Sequence, residues 1–77
     1  MTMDDSTRFL YRQQAAAELS NRGLETRPQT LARLAVYGGG PQFRIWGRRP
    51  VYRLDDLLKW AEARLGRTLS STSDRDA

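Results

Sequence analysis

The 77-residue sequence contains no cysteine and no histidine. The first absence excludes disulfides, thiolate metal ligands and thiol nucleophiles; the second removes imidazole ligands and the side chain that most often serves as general base. The chain therefore reads as a non-enzyme without a metal or other cofactor. It is also too short for a deep cleft, so no small-molecule ligand is expected. Lysine is nearly absent too, since twelve of the thirteen basic residues are arginine. No stretch approaches the roughly 20 apolar residues of a membrane span, and the acidic start MTMDDSTRF lacks the apolar core of a leader, so no membrane partner and a cytoplasmic location are expected. Acid is missing altogether between residues 27 and 53, where six arginines stand without one Asp or Glu. The formal net charge of +4 is thus concentrated in one block. A planar guanidinium suits bidentate contact with phosphate or with a guanine edge better than an ammonium does.

What is present divides the chain into one domain over residues 8–66, flanked by polar segments 1–7 and 67–77 with the composition of disordered ends. After the anchor FLY, the run RQQAAAELSNRG places Ala15, Ala16 and Leu19 on one face and predicts a first helix over residues 12–22, stopped by Gly23. In RPQTLARLAVYGGGP, Pro28 suits a first helical turn, Thr26 or Arg27 lies where the cap belongs, and Leu31, Leu34 and Ala35 form a narrow apolar stripe. The glycines at 38–40 and Pro41 end this second helix. QFRIW alternates, and VYR answers it across GRRP, which predicts a two-stranded hairpin whose second strand Pro50 keeps at an edge. A third helix is expected from Asp55 to Gly66, capped by Asp55, with Asp56 beside it as a second dipole-favoured acid. Leu31, Leu34, Phe43, Ile45, Tyr52, Leu57, Leu58 and Leu65 are the expected core, with Trp60 against it and Ala15 and Ala16 as close-packing residues.

Two short helices, a hairpin and a third helix make a mainly α fold with a small β-hairpin: the layout of a winged helix-turn-helix, which reads DNA with its second helix and a two-stranded wing. Residues 9–66 also resemble the excisionase and AlpA-like group, small relatives of the MerR DNA-binding domain. The resemblance is carried by the alanine pair of the first helix, PQTL opening the second, GGGP before the wing, GRRPVYR within it and DDLLKW opening the third. The turn SNRGLETRP is a few residues longer than is usual in that group. The resemblance implies a DNA-binding accessory protein of a mobile element: a recombination directionality factor that helps a tyrosine-type integrase excise DNA, or a transcriptional regulator. It further implies cooperative binding of neighbouring copies and bending of the DNA.

Within this layout Gln29, Thr30 and Arg33 are the candidates for base contact, because Gln pairs with adenine and Arg with guanine. Arg48 and Arg49 fall at the wing tip, where a narrow minor groove attracts guanidinium. Arg12, Gln13, Arg27, Tyr37 and Arg44 are candidates for phosphate contact. Trp46 stays open between packing on sugars, contact with a neighbouring protein and cover for the core edge. Two other classes of function compete. One is a basic module that docks on an acidic protein, and the other an RNA binder, disfavoured because few aromatics are interleaved with the arginines. With no heptad run or extra helix for dimerisation, copies are expected to meet head to tail on DNA.

Overall fold

A computed structural model describes residues 5–70, in which the chain opens with a 3-10 helix over Asp5–Thr7 and a strand, β1, over Phe9–Tyr11. Residues 5–7 thus have regular structure where an unstructured start was expected, and they pack against the last helix. There follow α1 (Arg12–Asn21), α2 (Pro28–Tyr37), β2 (Arg44–Trp46), β3 (Arg49–Arg53) and α3 (Leu54–Leu65). Residues 66–70 carry no helix or strand, and the rest of the expected disordered tail, residues 71–77, lies outside the described residues.

The sheet has three antiparallel strands in the order β1-β3-β2, not the expected two. Leu10 pairs with Tyr52 and Tyr11 with Val51, while Arg44, Ile45 and Trp46 pair with Val51, Pro50 and Arg49. FLY escapes a sequence reading because three residues are too few to establish a period of two, and because the strand that completes them lies far along the chain. The expectation that Pro50 marks an edge is likewise corrected, since β3 is the central strand. Proline is tolerated there because β1 pairs only from Val51 onward, which leaves Pro50 flanked by β2 alone.

The end of α1 and both ends of α2 have local causes. At the end of α1, Leu24 N–H donates to Leu19 O (2.8 Å) and Gly23 N–H to Ser20 O (3.0 Å). With Gly23 at φ 90°, this is a Schellman termination, and Leu24 folds back against the core as that motif requires. The Ser20 hydroxyl then bonds both backbone groups of Thr26, each at 3.1 Å, and so braces the long turn between α1 and α2. Arg27 occupies the cap position of α2 without a side-chain cap bond, and Pro28 supplies a first residue that needs no donor.

The three glycines after α2 have two different reasons. Gly38 sits at φ 93° and ψ 166°, a region that is nearly glycine-only. At Gly40 a Cβ would lie 2.8 Å from Leu34 Cβ, so the loop can turn back along α2 only without a side chain there. The Trp60 indole N–H closes the arrangement by donating to Gly39 O at 2.7 Å, which ties the loop to α3. Trp60 also packs against the core, as expected.

Helix α3 begins at Leu54, so Asp55 lies inside the first turn and is not its cap. The Leu54 N–H is satisfied by Arg8 O (2.8 Å), a bond made possible by the unexpected β1. Asp55 and Asp56 still favour the positive end of the helix dipole. Asp55 Oδ1 lies 3.0 Å from Arg53 Nε, an ion pair by distance in which the N–H is not aligned for a hydrogen bond.

The core comprises Leu10, Ala15, Ala16, Leu19, Leu31, Tyr52, Leu54, Leu57 and Ala61, with Leu58 packed against it. Fully buried Tyr52 keeps its hydroxyl satisfied by accepting from Arg12 Nε at 3.0 Å. Three expected core residues are exposed instead: Phe43, Ile45 and Leu65. Ile45 alternates correctly but lies in a hairpin that outruns its cover, every residue of β2 being exposed. Phe43 reaches the Tyr52 ring only at 5.8 Å between centroids. Leu65 prolongs the stripe Leu54, Leu57, Ala61 by one turn beyond the last buried residue.

Candidate nucleic-acid interface

Helix α2 buries only Leu31 fully; Leu34 and Ala35 are half-buried. Gln29, Thr30, Arg33, Val36 and Tyr37 are all exposed, and their spacing of three and four residues places them on one face. The three base-contact candidates therefore lie together with Tyr37, a phosphate candidate. Val36, 76% exposed, falls outside the stripe of Leu31, Leu34 and Ala35 and adds apolar surface to this face. A long, acid-free face of a helix about 10 Å across is of a size to enter a DNA major groove, which is about 12 Å wide.

The hairpin turns at Gly47 and Arg48, and Arg48 is exposed at this tip. Arg49 is held differently, as the first residue of β3. Its guanidinium carbon lies 3.8 Å from the centroid of the Tyr11 ring, a cation–π stack across the central and first strands. The expected pair at the tip is thus split into one arginine directed outward and one laid against the sheet.

Side chains opposite each other in an antiparallel ladder share a face. The register consequently places Phe9, Tyr11, Arg44, Trp46, Arg49, Val51 and Arg53 on the face turned away from the core, with Leu10 and Tyr52 on the other. Phe9 is 45% and Trp46 72% exposed. Arg44 lies 5.9 Å over the Phe9 ring. A hollow of about 560 Å3 is lined by Phe9, Tyr11, Arg44, Ile45, Trp46 and Val51. Sequence reasoning placed Arg44 and Trp46 on one side of the hairpin but missed Phe9 and Tyr11, whose signal was confined to the short FLY run.

The remaining phosphate candidates are scattered. Arg27 and Gln13 are exposed at the starts of α2 and α1, whereas Arg12 is half-buried and has its Nε engaged by Tyr52. Of the six arginines in residues 27–53, only Arg53 meets a carboxylate among the described residues. Arg8 and Arg22 both pair with Glu18, away from this block. No group of three or more His, Cys, Asp or Glu is assembled among the described residues, and none of their helices is long and apolar enough to cross a membrane.

No known protein family matches the chain, and neither curated proteins nor solved structures yield a match.

Proposed function

We propose that the chain is a sequence-specific binder of double-stranded DNA with a winged helix-turn-helix architecture: α2 is the recognition helix and the β2-β3 hairpin is the wing. The observation that carries this reading is the exposed face of α2, where Gln29, Thr30 and Arg33 stand together within a block in which, among the described residues, only Arg53 meets a carboxylate. Gln29 pairs with an adenine edge and Arg33 with a guanine edge, each bidentate contact contributing about 1–3 kcal/mol of discrimination. Arg48 enters the adjacent minor groove, Arg49 supports it from the sheet, and Arg12, Gln13, Arg27, Tyr37 and Arg44 engage phosphates. Bound copies then shape the DNA as an accessory factor of a mobile element, an excisionase that promotes integrase-mediated excision. The resemblance drawn from the sequence supports that finer role, with transcriptional regulation as the alternative outcome of the same binding.

The test is selection of bound fragments from a random duplex library, followed by titration at several salt concentrations. Sequence enrichment is expected, with log affinity falling linearly against log salt by roughly 0.9 per phosphate contacted. The Gln29→Ala, Arg33→Ala double variant should lose enrichment at two positions, and Arg48→Ala with Arg49→Ala should flatten the salt slope. Binding to heparin as tight as to any duplex would overturn the reading. It would favour instead a protein-docking module, for which Val36 and exposed Tyr37 at the end of α2 provide apolar surface.

A further inference from the structure

Position on the sheet, and not on α2, distinguishes a second surface. Its outer face combines three rings, Phe9, Tyr11 and Trp46, with Arg44 and Arg49, and it bears no acid at any of the seven positions that the register assigns to it. Asp55 and Asp56 flank it from the start of α3, where Asp55 faces Arg53 and Asp56 lines a neighbouring hollow with Phe9, Arg44 and Val51. A hydrophobic partner would be expected to meet a face without this density of cations. A wholly ionic partner would leave the rings unused.

We propose that this face is a stacking platform for the unpaired bases of a single-stranded nucleic acid. Every nucleobase offers a π face, and single-strand binders combine aromatic platforms with cationic groups that follow the backbone. Here both components are present at once. The hollow between Phe9, Tyr11, Trp46 and Val51, about 560 Å3, is within the size range of sites that enclose small organic ligands, and so admits a planar base. Trp46 at its rim is 72% exposed and free to cover an incoming base. The Arg49 guanidinium carbon already lies 3.8 Å from the Tyr11 ring centroid, and a guanidinium group held over a ring is itself a stacking surface for a base. Arg44, on the neighbouring strand, has its guanidinium carbon 5.9 Å from the Phe9 ring centroid and supplies a second cation beside the rings for the backbone of the strand. The ligand chemistry is an unpaired base on a sugar-phosphate chain, and DNA and RNA both supply it.

The experiment is fluorescence anisotropy titration of the full chain with labelled single strands of about 10 nucleotides. Oligothymidine, oligouridine and an abasic strand of the same length serve as probes. Oligothymidine is expected to bind tightly enough to saturate, and Trp46→Ala to weaken it about fivefold or more, with Phe9→Ala acting in the same direction. The abasic strand should lose affinity to a similar extent. Equal affinity for thymidine and uridine strands assigns the platform to either nucleic acid, and a preference assigns it to the favoured one. Trp46 and Phe9 are exposed, so unchanged circular dichroism of these variants is expected and checks that the fold persists. Abasic strands binding as well as oligothymidine, or Trp46→Ala without effect, would overturn the platform. So would self-association of the wild type that Trp46→Ala abolishes, since a second copy would then own the face. The Gln29→Ala, Arg33→Ala variant separates this proposal from duplex binding by α2: it should impair duplex recognition and leave single-strand affinity unchanged.

Discussion

The inner and outer faces of the sheet are built by the same strands with strictly alternating residues, yet they have opposite fates. On the inner face Leu10 is 3% and Tyr52 0% exposed, against 45% for Phe9 and 72% for Trp46 on the outer face. Ring content does not explain the difference, because the outer face holds more rings than the inner. Cover does: among the described residues α1 and α3 pack against β3, whereas on the outer side Arg44 and Arg49 lie over the Phe9 and Tyr11 rings. Apolar character alone therefore identifies neither a core nor a site. The residues that stabilise this fold and those available to a ligand are neighbours in sequence, Leu10 standing between Phe9 and Tyr11 and Tyr52 beside Val51.

Four substitutions test that division. The largest effect is expected for Tyr52→Ala, which empties the centre of the inner face and should cost about 3–5 kcal/mol, enough to unfold much of so small a domain. Thermal or urea denaturation followed by circular dichroism measures it, and a loss below that of an exposed residue would refute the assignment of the core. Gly40→Ala comes next. Its methyl would press on Leu34 and should cost about 1–3 kcal/mol, detaching the loop that Trp60 fastens to α3, with a rise in Trp60 exposure as the optical signature. Tyr52→Phe retains the ring but leaves Arg12 Nε without its acceptor; a loss of about 1 kcal/mol is expected in the same denaturation curves. The smallest change belongs to the outer face. Arg49→Ala removes an exposed cation–π stack and should reduce stability by only about 0.5–1 kcal/mol. A much larger loss would show the outer face to be structural, and would weaken its assignment as a ligand surface.

The extents of α1 and α2 were legible because their signals are local. Gly23, Pro28 and the glycine run set boundaries through backbone conformation, and the apolar spacing chose the buried side. The exposed cluster Gln29, Thr30 and Arg33 was legible for the same reason, since a helix face follows from spacing within a single element. Arg49 was misplaced because its position depends on Tyr11, a residue of another strand. Phe43, Ile45 and Leu65 were assigned to the core because pattern records which side a residue occupies, but not whether anything packs there. Leu54 as the start of α3 was hidden for a related reason, its N–H being satisfied by Arg8 across the sheet.

The sequence by itself determined the helices, the hairpin turn and the concentration of arginine in an acid-free block, because propensity, capping and charge act over a few residues. Only the tertiary structure decided that FLY becomes a third strand, that Pro50 sits in a central strand and that three rings share a face with Arg44 and Arg49. Those outcomes rest on pairing between residues some 40 positions apart, as between Arg12 and Tyr52. Such pairing is selected by the burial of Leu10 and Tyr52 against the helices and has no counterpart in local pattern.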